Sequence, residues 1–114
     1  MENHFRVDVR RTDHATVVAV TGELDLVSST ALEEALVQLD GSGPGFVILD
    51  LSDVDFMDSA GLAVVVRAHQ RAKSAGQGFG VVNASPQVLR LLSVTGMDER
   101  MTVGQTPEEL LGGA

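Results

Sequence analysis

Residues 46–68, FVILDLSDVDFMDSAGLAVVVRA, constrain the fold more than any other stretch of the chain. The run 46–50 is apolar up to its final aspartate, which predicts a strand buried on both faces, as in the middle of a parallel sheet covered by helices. A short acidic connection follows, and Asp58-Ser59-Ala60-Gly61 then opens an apolar helix. Small polar residues ahead of good helix formers mark a helix start. Ser59 is therefore expected at or beside the N-cap, with its hydroxyl next to unpaired backbone N–H groups. In an open α/β sheet such a turn lies beyond the carboxyl ends of the strands, where ligands and partners are usually met.

The rest of the chain fits around this unit. Phe5, Val7 and Val9 alternate with Arg6, Asp8 and Arg10, the period of a charged edge strand with one solvated face. The apolar run 16–21 reads as a second, more central strand, joined to the first as an antiparallel hairpin by a turn at Thr12-Asp13-His14. Gly22-Glu23-Leu24-Asp25 leaves that strand, and Leu32, Ala35, Leu36 and Leu39 then mark one face of a helix. Ser28, Ser29 and Thr30 are all possible caps for it, and Thr30 with Glu33 would make a capping box. Residues 40–45 are a glycine-rich stop. The helix opened by Ser59 should run over 59–75, with basic residues in its last turns and Gly76 as terminator. A fourth strand follows at 79–82, then a helix capped by Ser85-Pro86 and ended by Gly96, a weak strand at 101–103, and a short helix opened by a Thr106-Pro107-Glu108-Glu109 capping box. The order ββαβαβαβα describes an α/β domain: a mixed, mostly parallel sheet of four to five strands with about four helices and right-handed crossovers. Residues 1–114 form a single domain without repeat or linker.

Composition removes several functions. No cysteine is present, which excludes disulfides, thiolate catalysis and Cys-based zinc sites. The formal net charge of -8 disfavours nucleic acid and anionic membrane as partners and favours a basic one. No apolar run approaches the roughly 18 residues that span a bilayer, and no targeting segment is read, so a cytoplasmic protein is expected.

The polar residues near the strand ends have two readings. Asp58 and Ser59 can simply cap a helix, with Gly61 permitting close packing. Alternatively Asp25, Asp58, Ser59, Asn83 and Ser85 follow three neighbouring parallel strands and form a recognition surface along one edge of the sheet. Hydrolysis at Ser59 lacks its parts: Met57 and Gly61 flank the serine where a nucleophile elbow needs two glycines. The histidines stand at 4, 14 and 69, the last roughly 15 Å along the same helix. Asp53, Asp55 and Asp58 do not keep calcium-loop spacing and read as an acidic solvated loop. The only lysine, Lys73, follows no glycine-rich phosphate loop, and the acidic pair and distal lysine of a phospho-receiver around Asp50 are missing. No enzyme, metal or cofactor is expected.

Gly22-Glu23-Leu24-Asp25, Phe56-Met57-Asp58-Ser59-Ala60-Gly61-Leu62 and residues 92–97 together resemble the STAS family, specifically the bacterial anti-sigma factor antagonists, over nearly the whole chain. The resemblance implies a binding module switched by serine phosphorylation. Ser59 would be the phospho-acceptor, and Glu23, Asp25, Asp58, Ser59 and Gly61 would form the partner-facing surface. The partner would be an anti-sigma factor serine kinase with a histidine-kinase-like ATPase fold, with a serine phosphatase to reverse the mark and a monomer as the free state. Ala60 stands where relatives often carry a second serine, so one phosphate is expected at this turn. The same resemblance admits a second reading, a STAS adaptor subunit of a lipid-transport or stress-signalling complex without regulated phosphate.

Overall fold

A computed structural model describes residues 5–39 and 45–111. His4 and most of the glycine-rich stop at 40–45 lie outside the described residues. Five strands, β1 (Arg6–Arg11), β2 (Thr16–Leu24), β3 (Phe46–Met57), β4 (Gly78–Val82) and β5 (Thr102–Gly104), form one sheet in the order β1-β2-β3-β4-β5. β1 runs antiparallel to β2, and the other pairings are parallel. The helices are α1 (Leu26–Val37), α2 (Ser59–Ser74), α3 (Pro86–Val94) and α4 (Pro107–Leu110), with a 3-10 turn at Met97–Glu99. The element order matches the sequence expectation throughout.

Because the parallel strands follow one another in a single direction across the sheet, right-handed crossovers place α1, α2 and α3 on the same face. Leu32 and Leu36 of α1, Val64, Val65, Ala68 and Ala72 of α2, and Val88 and Leu92 of α3 pack there on Val18, Val20, Val47, Leu49, Leu51 and Val81. The opposite face is not covered in the same way. Ala15, Val17, Ile48 and Val82 form a smaller cluster, closed by Phe46, Leu110 and Leu111 at the end of the chain. Two glycines make room for that closure. A Cβ at Gly80 would overlap Leu110 Cδ1, and one at Gly104 would stand 2.9 Å from Leu110 Cδ2. Positions without side chains on adjacent strands thus leave the slot that Leu110 fills.

The acidic connection expected after Asp50 is a correction: β3 continues as strand to Met57. Its register against β2 shifts between Ala19 and Thr21, which face Asp50 and Asp53, and again between Gly22 and Glu23, which face Val54 and Phe56. Each shift puts one extra residue into β3, as a bulge does, so two neighbours point outward where alternation would give one. Leu51, Val54 and Met57 are buried, at intervals of three, and Ser52, Asp53, Asp55 and Phe56 are exposed between them. A strand with that spacing has no period of two, which is why it reads as a loop. Asp53 and Asp55 belong to this strand and not to a solvated loop.

The start of α1 is also corrected. The N-cap is Asp25, whose carboxylate accepts from the N–H groups of Val27 and Ser28, while the Ser28 hydroxyl accepts from the Asp25 N–H. That reciprocal pair sits five residues ahead of the expected Thr30 cap. Thr30 lies within the helix, its hydroxyl donating to the Leu26 carbonyl. At α4 Thr106 accepts from the Glu109 N–H, the first half of the expected box.

Candidate functional site

The carboxyl ends of β2 and β3 are tied together. The Asp58 N–H donates to the Leu24 carbonyl at 3.1 Å, so of the two N-caps Asp58 makes the backbone bond that ties the strand ends and Asp25 stands one residue beyond its acceptor. Asp58 is half-buried and accepts from the Ala60 and Gly61 N–H groups at 2.9 and 3.1 Å. Ser59 is the first residue of α2, is exposed, and is free of the capping duty that Asp58 performs. The free N–H groups expected beside the Ser59 hydroxyl are therefore partly taken, two of them by Asp58. An anion placed on Ser59 meets a helix dipole in its favour and a neighbouring carboxylate against it, and it projects outward.

Gly61 is buried, and its lack of a side chain is what lets α2 approach the strands. A Cβ there would stand 2.8 Å from both Leu24 Cβ and Met57 Cγ, and 3.0 Å from the Leu24 carbonyl oxygen. Gly61→Ala is expected to destabilise the fold by about 1–3 kcal/mol, read as a lower urea midpoint, because the Leu24 and Met57 side chains it would press on are themselves buried in the core.

Glu23 is exposed at the end of β2, and its carbonyl accepts from the Ser28 hydroxyl. Asn83 and Ser85 follow β4, but β4 ends opposite Asp50, while β3 runs on to Met57. Ser85 uses its hydroxyl to cap α3 at the Val88 N–H, and Asn83 is an exposed residue at φ 58. The structure thus brings Glu23 and Asp25, at the end of β2, and Asp58 and Ser59, at the end of β3, onto two adjacent turns and gives Ser85 a capping duty. Beyond the end of β4 an amide side chain replaces the missing strand: Gln87 accepts from the Met57 N–H at 3.0 Å and donates to the Met57 carbonyl at 2.9 Å. Gln87 and Ser28 were not legible as site residues. The only signal for Ser28 is its place three residues after Asp25.

Glu33 of α1 holds α2 by accepting from Arg67 and Arg71. The Arg67 hydrogen bond keeps its carboxyl below the ordinary 4.5 against the opposing effect of burial, with Arg71 adding to the depression. Asp25 is held below 3.8 chiefly by the Ser28 N–H and then by the Ser28 hydroxyl. A carboxyl depressed in the folded state stabilises fully above its unfolded value and loses that contribution as pH falls through the folded one. Glu33→Gln is accordingly expected to lower stability at pH 7 by less than about 1 kcal/mol, since Arg67 is half-exposed. Urea melts at successive pH values should show the gap to wild type closing below about pH 4.5.

The sheet thus carries three helices on one face and an exposed serine at the first turn of the helix after its central strand. The chain belongs to the STAS family: the STAS domain profile matches residues 6–110. An anti-sigma-B factor antagonist of Bacillus subtilis is 32% identical over 105 residues, covering 92% of this chain and 95% of that protein. The crystal structure of an anti-sigma factor antagonist from Mycobacterium paratuberculosis superposes with a TM-score of 0.87 at 31% identity, covering 96% and 92% of the two chains. The Bacillus cell fate determinant SpoIIAA, solved in its phosphorylated form, shares the fold with a TM-score of 0.72 at 20% identity, over 95% and 96% of the two chains. Among the described residues no helix is long and apolar enough to cross a membrane, and no cluster of His, Asp or Glu is placed to hold a metal ion.

Proposed function

We propose that this protein is an anti-sigma factor antagonist. Its unphosphorylated form binds an anti-sigma factor serine kinase and so frees a sigma factor, and phosphorylation of Ser59 ends the binding. The single observation that carries this reading is exposed Ser59 at the first turn of α2, relieved of capping by Asp58, whose backbone is tied to the strand end that carries Glu23 and Asp25. Glu23, Asp25, Asp58 and Ser59 supply the partner-facing groups, and buried Gly61 holds them at the right height.

The chemistry suits a switch. Phosphate adds about -1.5 to -2 charges at pH 7 to a surface already acidic. A partner's acidic group facing that charge is repelled, and burying the phosphate costs desolvation; both oppose docking. A serine phosphatase would restore the binding form. Intact-mass analysis after incubation with the purified ATPase-fold anti-sigma factors of the source organism and Mg-ATP tests the reading. Wild type should gain one phosphate and Ser59→Ala none. Equal labelling of both would place the acceptor elsewhere.

A further inference from the structure

Strand β4 ends opposite Asp50, so β3 runs on past it to Met57 with β2 beside it and, among the described residues, no strand on the other side. At the tip of this overhang the peptide unit joining Met57 to Asp58 is nevertheless hydrogen-bonded at both ends. Its carbonyl accepts from Gln87 Nε2 at 2.9 Å on the α3 side, and its N–H donates to the Leu24 carbonyl at 3.1 Å on the β2 side. A further bond, from the Met57 N–H to Gln87 Oε1 at 3.0 Å, completes the fork. Because a peptide unit is planar, holding its N–H and its C=O fixes the orientation of the whole plane. The next fixed point is the Asp58 carboxylate, which accepts from the Ala60 and Gly61 N–H groups. Ser59 lies between clamp and cap, and the two together set the direction in which it leaves the sheet.

The fold does not depend on Gln87 to hold α3. Gln87 is the second residue of that helix and is exposed, whereas Val88 and Leu92 anchor the helix in the core and the Ser85 hydroxyl caps it. An exposed side chain that spends both ends of its amide on one backbone position thirty residues away acts on that position.

We propose that Gln87 is a positioning residue for Ser59, holding the turn in the presentation that the active site of the kinase accepts. The proposal rests on the function given above and deepens it. In the transfer the Ser59 Oγ bonds to the γ-phosphorus of ATP as the bond to the departing ADP oxygen breaks, and the hydroxyl proton passes to a base on the kinase. Such a step needs the attacking oxygen close and in line, and a displacement of about 1 Å costs up to about a hundredfold in rate. Binding has no such requirement. Asp25 keeps its own bonds to Val27 and Ser28 whatever becomes of Gln87, so the β2 side of the partner-facing surface stays in place.

Gln87→Ala tests this twice. In the free protein, amide hydrogen exchange should be about tenfold or more faster at Met57 and severalfold faster at Asp58, with the core amides of β2 and α2 within about twofold of wild type and the urea midpoint little changed. With the purified ATPase-fold anti-sigma factors of the source organism and Mg-ATP, the single-turnover rate of phosphorylation at saturating kinase should fall about tenfold. The kinase concentration that gives half the maximal rate should stay within about twofold. Arg90→Ala, which alters another exposed side chain of α3, should leave both values within about twofold. Unchanged exchange at Met57, or an unchanged saturating rate in Gln87→Ala while wild type is labelled normally, overturns the positioning role and leaves Ser59 switching intact. A shift in the half-maximal concentration alone would make Gln87 a contact of the partner, and faster exchange throughout the core would make it a general stabiliser; either overturns the proposal. Wild type that gains no phosphate at Ser59 overturns the function and the positioning role together.

Discussion

Ser59→Asp is expected to weaken binding to the anti-sigma factor by about tenfold or more while leaving the urea midpoint nearly unchanged. The two halves of that result have different origins. Within the folded chain, Ser59 is exposed and the dipole of α2 offsets the repulsion from Asp58, so the substitution falls within the roughly 0.5 kcal/mol of ordinary surface changes. At the interface there is no such offset. A new negative charge facing an acidic group at about 6 Å costs on the order of 1–3 kcal/mol, and 1.4 kcal/mol is a tenfold change in affinity. Titration calorimetry and urea melts on one preparation separate the terms. Unchanged affinity would remove the electrostatic switch, and a large drop in midpoint would show that the substitution acts through the fold. Ser59→Ala, with no charge added, should keep the affinity of wild type.

The largest stability effect is expected at a position that the sequence pattern assigns to a loop. Leu51 is fully buried beneath α1–α3, so Leu51→Ala should cost about 2–5 kcal/mol in urea unfolding. Its neighbours Ser52 and Asp53 point outward from β3, and Asp53→Ala should stay within about 0.5 kcal/mol. Were the acidic segment a solvated connection, the two truncations would cost about the same. The contrast between residues two apart, which an unbroken strand would put on the same face, tests the shifted register itself.

These two residues also show where sequence reading succeeds and where it stops. Element order, the helix face of Leu32 and Leu36, the Ser85-Pro86 cap and the exposed Ser59 were legible because each rests on local chemistry: a period, a cap, a proline at the first turn. The continuation of β3 was not, because two extra residues erase its alternation. The cap of α1 was missed for a related reason. Several hydroxyls near a helix start compete for the same duty, and Asp25 performs it with Ser28 as its reciprocal partner at N3. Expected cover on both sheet faces came from the apolarity of residues 46–50. That apolarity is real, but on one side it answers to Leu110 and Leu111, far along the chain and seated over Gly80 and Gly104. The fork of Gln87 on Met57 is likewise non-local and leaves no motif behind.

The two supernumerary residues in β3 amount to a ruler. They set how many peptide units separate the anchored centre of the sheet from Ser59, and so the rotational phase in which that serine emerges. Removing one of them would leave the same side chains in the same order but hand the capping position to a different residue. A relative one residue shorter between the positions of Asp50 and Met57 would therefore need its aspartate-serine pair displaced by the same step to keep the hydroxyl facing outward.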